Sequence, residues 1–239
     1  MTTSIAGLEA FDDVQRLIVV AAHPDDLEVL CGGTVALLAQ RGVKVFSVNC
    51  TLGDIGTQDP SAMRPVLATT RLLEAEEAAR ILGIEQVVSL GHHDGELVAD
   101  LELRAQIARL YRITQADTLF TFDPFWRGQV HPDHRAAGQA ALDAYIPSKM
   151  PLYRPEQLRE PGACLGCLKR VFLFSSDGEP DVVVDVSSVY ETKLAACMAH
   201  RSQFPQGRES LKWLEEWDAE RGKPIGAARA ESFKRLEVW

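Results

Sequence analysis

Two rhythms of apolar and polar positions alternate along the first two thirds of the chain. Residues 16–22, RLIVVAA, are a continuous apolar run rich in β-branched side chains and closed by His23-Pro24, which predicts a short buried strand. Runs of this kind suit a parallel sheet covered on both faces. After Gly32-Gly33 the spacing changes: Val35, Leu38 and Ala39 share one helical face of TVALLAQR, and Gly42 stands where a helix would stop. The strand rhythm returns in KVFSVNCT (44–51), QVVSLG (86–91) and TLFTFD (118–123). Helical spacing fills the gaps, with Leu72, Ala75, Ala79 and Leu82 in a helix over about 64–82, another over LELRAQIARLYRIT, and one from about His134 to Tyr145. Strand and helix in alternation predict an α/β fold with a mainly parallel central sheet between helical layers.

Residues 146–162, IPSKMPLYRPEQLREPG, follow neither rhythm and read as a Pro-rich insertion, a length often used for a lid. RVFLFS and PDVVVDVS supply two more strands, and from SVYETKLAACMAHRSQ onward the pattern is mostly helical with a loop near GKPIG, giving a helical C-terminal extension after about residue 206. No repeat or composition break divides the chain, and 239 residues fit one domain over 1–239.

Charge narrows the function classes. With 25 Lys and Arg against 34 Asp and Glu the net charge is −9, which argues against nucleic acid or an acidic membrane as partner. No apolar run approaches a membrane span, and MTTSIAGLEAFDD lacks the basic flank and apolar stretch of an export signal, so a cytoplasmic location is expected. The five cysteines then read as reduced thiols, and the Cys164–Cys167 pair as incidental, since no second pair accompanies it.

Candidate chemistry gathers at two strand ends. His23-Pro24-Asp25-Asp26 follows the first strand, and His131-Pro132-Asp133-His134 follows the fourth; open α/β sheets bind ligands at this edge. Imidazole and carboxylate are good zinc ligands, and a catalytic zinc takes three protein groups and leaves a position for water. His23 and Asp26 offer two of them, and the HPDH block the third. Adjacent carboxylates on a turn rarely point the same way, so one of Asp25 and Asp26 can bind metal while the other takes the proton from the attacking water. Either block alone is equally an Asp-capped turn; the pair at equivalent strand ends favours a metal site.

The series AAHPDDLEVLCGGT, TLGDIGT, RLLEAEEAARILGI, SLGHHDGEL and HPDHRAAGQAAL resembles the PIG-L/LmbE family of zinc-dependent de-N-acetylases over about residues 16–205. The resemblance implies a Rossmann-like three-layer fold and hydrolysis of an N-acetyl group, usually on a glucosamine-containing small molecule. It assigns His23, Asp26 and His134 to one zinc per chain, Asp25 as general base, and His131 as the oxyanion and leaving-group histidine, oriented by Asp133. Other divalent first-row metals suit the same donors. Arg71, Asp94, Asp54 and His200 match positions near substrate, and relatives form trimers or hexamers. From the residues alone, Arg71 also reads as a solvated partner of Glu74, Asp54 and Asp94 as turn residues, His200 as a packed helical histidine, and Glu28 as a helix-capping or outer-shell acid. Gln129 stands where some sugar deacetylases have a tyrosine, and His92 and His93 lie beside Asp94 as surface residues or tuners of substrate choice.

Two other functions compete. A metal-dependent hydratase of an unsaturated carboxylic acid would be favoured by basic residues of 146–162 lining the pocket. A small-molecule binding module on the same fold has no use for a base beside a metal site, so an intact Asp25 argues against it.

Overall fold

The computed structural model describes residues 7–238 apart from Ser175 and Asp177. The first six residues of the N-terminal segment, and the serine closing RVFLFS, lie outside the described residues. Among the described residues seven strands form one sheet in the order β3-β2-β1-β4-β5-β7-β6, with β1 Arg16–Ala21, β2 Lys44–Thr51, β3 Gln86–His92, β4 Thr118–Phe122, β5 Arg170–Phe174, β6 Val182–Asp185 and β7 Ala230–Leu236. The first five are mutually parallel, and β7 runs antiparallel to both β5 and β6. The helices are α1 Asp26–Gln40, α2 Arg64–Leu82, α3 Leu101–Thr114, α4 Pro132–Asp143, α5 Tyr145–Lys149, α6 Tyr190–Ala199 and α7 Lys212–Gly222. Helices α1, α2 and α6 pack together, and α3, α4 and α5 form a second group. This is the mixed α/β, mainly parallel architecture the alternation predicts.

Local causes are visible at each element. β1 buries Leu17 to Ala21 completely, as a continuous apolar run in a central parallel strand must. α3 begins where the Asp100 side chain accepts from the Glu102 and Leu103 amides at 2.9 and 2.8 Å, and buries Leu103, Ile107, Leu110 and Tyr111 on one face. α2 ends at Gly83, whose φ of 77° lies in the left-handed region.

Three expectations change. α1 starts at Asp26, before the Gly-Gly pair, and is broken at Cys31 (φ −146°, ψ 15°). The helical C-terminal part ends in a strand: β7 inserts between β5 and β6, pairing Val182 with Phe233 and Leu173 with Lys234. Its sequence AESFKRL mixes charge with apolar positions because its outer end is half-exposed, which hides it from a search for apolar runs. The 146–162 segment is an ordered cover over α3. Arg112, fully buried, donates to the carbonyls of Pro147, Ser148, Met150 and Arg154 and to Gln157 Oε1 at 2.8–3.1 Å.

The strand order reverses between β1 and β4, since the chain leaves β1 toward β2 and returns on its other side as β4. The crevice at their carboxyl ends is the switch point of the sheet.

Candidate functional site

Both histidine-rich turns open at that crevice. After β1 the chain turns sharply, and the Asp26 carboxylate locks the turn: its Oδ2 accepts from the Ala22 and His23 amides at 3.0 and 2.7 Å. The next strand holds the same turn from the side, with Thr51 N and Oγ1 donating to Ala22 O at 2.8 and 2.9 Å. Between His23 and Asp26, Asp25 takes φ +119°, a conformation an L side chain rarely adopts. After β4, His131 caps α4 and accepts from the Asp133 amide at 3.3 Å through Nδ1. His134 is clamped between two rings, stacked on Phe122 at 4.0 Å and on His131 at 4.5 Å.

The two turns meet. His134 Nε2 lies 3.2 Å from His23 Nδ1 and 3.3 Å from Asp26 Oδ1, and His23 Nδ1 lies 3.4 Å from Asp26 Oδ2. Ligands at about 2.0–2.1 Å from a tetrahedral zinc are separated by about 3.3 Å, a spacing these contacts approach, with Asp26 meeting His23 through Oδ2 and His134 through Oδ1. His23, Asp94 and Asp133 also approach within 4.8 Å of one another, as do His23, His131 and His134. In the first of these groups the carboxylates face the other nitrogen of His23: Nε2 is 3.1 Å from Asp94 Oδ1 and 3.3 Å from Asp133 Oδ2. A ligating histidine commonly donates its second N–H to a carboxylate, which fixes ring and tautomer. In the second, His131 has Nδ1 committed to the Asp133 amide. His23, Asp26 and His134, in contact at 3.2–3.4 Å, make a third close group at the same edge.

Asp133 departs from expectation. Its carboxylate, fully buried, accepts from Gly95 N at 2.6 Å and Leu97 N at 3.2 Å and contacts His23, so it orients His23 rather than His131. His131 is oriented instead by the main chain of the same residue. With Nδ1 accepting, the neutral imidazole carries its proton on Nε2, a tautomer inferred from this hydrogen bond.

Electrostatics follow from burial and charge pairing. Burial disfavours a charged His23, yet Asp26, Asp133 and Asp94 outweigh it and raise its pKa to about 12, so the cage calls for a positive charge. Burial also opposes Asp26, but His134 and His23 hold its carboxyl well below the usual range. Asp25 is pushed up to about 6 by burial, against the pull of Arg71 and with help from Asp26. His131 is lowered by burial and by its two histidine neighbours.

A cavity of about 200 Å³ opens on this cluster, lined by His23, Asp25, Gly56, Arg71, Asp94, His131 and Gln203. A larger one of about 270 Å³ near Trp217 contains none of these groups. Arg71 is 3% exposed, which rules out the solvated-face reading. It donates to Gly53 O at 3.0 Å and Pro24 O at 2.5 Å, lies 3.1 Å from Asp25 Oδ2, and keeps Nε buried without a partner. The glycines of TLGDIGT make room for it, since a Cβ on Gly53 or Gly56 would sit 2.4 or 2.3 Å from its guanidinium.

Asp54 and His200, expected near substrate, stand apart from the cavity lining. Asp54 spends both oxygens inside the protein, accepting from Asp94 N at 2.9 Å and from Arg64 Nε and His93 Nδ1 at 2.8 Å each, and so braces the loop that carries Asp94. His200 is fully buried, with Nε2 3.5 Å from Glu28 Oε2. His92 meets Gln106 at 2.8 Å. Gln203 and Gly56 line the cavity without having been singled out from the sequence. Gln203 donates to Gly56 O at 3.0 Å, and Glu74, the supposed partner of Arg71, instead anchors Ser202 at 2.6 and 2.8 Å. The AHRSQ block was the available signal, read through its histidine. No residue of 146–162 lines the cavity.

Fold and site together define an LmbE-like α/β protein with a His-Asp cluster at the switch point of its sheet. Residues 18–145 match the family described as PIG-L, GlcNAc-PI de-N-acetylase, and the chain belongs to that family. It is 32% identical over 198 residues to the diacetylchitobiose deacetylase of Thermococcus kodakarensis, covering 83% of this chain and 73% of the relative. It is 34% identical to the Bacillus cereus protein named "Probable N-acetyl-alpha-D-glucosaminyl L-malate deacetylase 2", covering 84% and 94%. The solved N,N'-diacetylchitobiose deacetylase of Pyrococcus horikoshii superposes with a TM-score of 0.87 at 32% identity, over 95% of this chain and 85% of that one.

Proposed function

We propose that the chain is a zinc-dependent hydrolase that removes the acetyl group from an N-acetylglucosamine-type small molecule. The observation that carries this reading is the set of 3.2–3.4 Å contacts among His23, Asp26 and His134 beside Asp25, a carboxylate lining the cavity, in a family whose relatives are deacetylases of such sugars. His23, Asp26 and His134 would hold the ion. When bound it supplies a Lewis acid for the amide carbonyl and lowers the pKa of water.

The remaining work falls to the side chains around the cavity. Asp25, with a pKa of about 6, takes a proton from the attacking water and carries it toward the departing nitrogen. Nε2–H of His131 donates to the oxygen that gains charge as the carbonyl carbon becomes tetrahedral. Water adds to the acyl carbon, the C–N bond breaks, and the products are acetate and a primary amine. Arg71 holds Asp25 in place at the cavity wall, and Asp94 presents an acceptor for a sugar hydroxyl. The hydratase reading gains no support, because the cavity lacks basic groups from 146–162.

Incubation of zinc-loaded protein with N-acetylglucosaminides, with acetate and primary amine both quantified, tests the reaction. Equimolar release is expected. Consumption of an unsaturated acid with no amine released from any amide would overturn it.

A further inference from the structure

Behind the site lies a fully buried ion network that the reaction does not use, and its Asp218 also meets Arg221 at the wall of the cavity near Trp217. Lys193 on α6 places Nζ 2.7 Å from Asp218 Oδ2 on α7 and 2.9 Å from Glu231 Oε1 on β7, all three side chains being inaccessible. Burying three charges is costly, and hydrophobic residues of similar size commonly serve stability as well or better. A retained network therefore invites a role beyond stability.

The geometry of Glu231 supplies one. α1 breaks at Cys31, so the helix restarts within the Gly32–Thr34 stretch with amides that lack intrahelical acceptors. Glu231 caps this internal start from β7: Oε1 accepts from Gly33 N at 2.8 Å and Oε2 from Thr34 N at 2.7 Å. A carboxylate at a helix start also complements the helix dipole. Gly33 must be glycine for the contact to form, since a Cβ there would lie 2.7 Å from Val186 Cβ and 3.2 Å from Glu231 Oε1. The short first segment of α1, ahead of the break, begins with Asp26, and Asp25 precedes it at the N-cap position without a side-chain cap bond.

We propose that Glu231, held by Lys193, is a positioning residue for the metal-bearing turn: its bidentate cap fixes the break at Cys31 and thereby the direction in which the first turn of α1 presents Asp25 and Asp26. The C-terminal strand, outside the family-matched residues 18–145, thus completes the site from behind. This inference rests on the metal reading of His23, Asp26 and His134.

The test uses the full chain and a readout independent of turnover. Wild type, Glu231→Gln and a core control, Leu214→Ala in α7, are loaded with Co2+. Metal affinity is measured by chelator competition, ligand geometry by the visible absorption of the bound ion, and the melting temperature is recorded for each. Glu231→Gln should weaken metal binding by at least about 10-fold and alter the Co2+ spectrum. Leu214→Ala should melt earlier while keeping wild-type affinity and spectrum. If Glu231→Gln does not fold, Glu231→Asp, one methylene shorter, is expected to show the same two changes. Wild-type affinity and spectrum in a folded Glu231 variant would overturn the proposal alone. Equal loss in the core control would reduce it to general stability and also overturn it. Wild-type protein that takes up no metal would overturn the metal reading and this inference with it.

Discussion

Asp25 holds a positive φ in contact with Arg71, its carboxyl pushed up to about 6 by burial. A base must be ionised to accept a proton, so turnover should fall as pH drops through about 6, with a one-proton slope in kcat/KM. Asp25→Asn keeps the shape and removes the base. Its kcat should fall by at least about 100-fold with metal content unchanged, by steady-state kinetics and elemental analysis on one preparation. Unchanged turnover would remove Asp25 from the mechanism. Asp54 makes the opposite case: burial opposes its charge, but Arg64, the Asp94 amide and His93 outweigh it and lower its pKa to about 2 from 3.8. Its contribution to stability is complete above the unfolded value and is lost as pH falls from about 4 toward about 2. Denaturant melts should show Asp54→Asn less stable than wild type at neutral pH, with the gap closing across that window. The HPDD and HPDH blocks made it legible in sequence that His23, Asp26 and His134 would meet at one edge of the sheet. Which histidine Asp133 serves was not, because a two-residue spacing does not say where a carboxylate turns once the 95–97 amides compete for it.

Elements built on one clean period were the easiest to read. α3, α2 and β2 have the predicted bounds because an Asp cap, a Gly stop and a continuous buried run respectively mark them. α1 was harder: its Gly-Gly pair looked like the approach to a helix, whereas it marks the restart after a break capped from β7. Such a cap spans 198 residues and leaves no local trace. The Pro-rich 146–162 segment looked like a lid because its order comes from Arg112, on another helix. Lysine cannot reproduce the five-acceptor fork that Arg112 makes, so Arg112→Lys should cost about 3 kcal/mol or more and lower the melting temperature by roughly 6–12 °C. kcat/KM at a temperature where the variant is folded should stay at the wild-type value, since the segment does not reach the cavity. A selective loss of kcat/KM there would restore the lid.

For the molecule as a whole, binding at the site is linked to folding stability. Among the described residues no helix is long and apolar enough to cross a membrane, and the candidate substrate cavity is small and polar. A ligand that binds the folded state alone stabilises it, so zinc at about 100 times its dissociation constant should add about 2.7 kcal/mol and raise the melting temperature by roughly 5–10 °C. A chelator should reverse this.

The central claim is that His23, Asp26 and His134 hold one metal ion, and metal content tests it most directly. Wild type and His134→Ala, purified side by side, supplied with zinc and freed of loosely bound metal, would be measured by plasma mass spectrometry. About one zinc per chain in wild type and its loss in the variant is the predicted result. Equal metal in both, or none in either, would contradict the account.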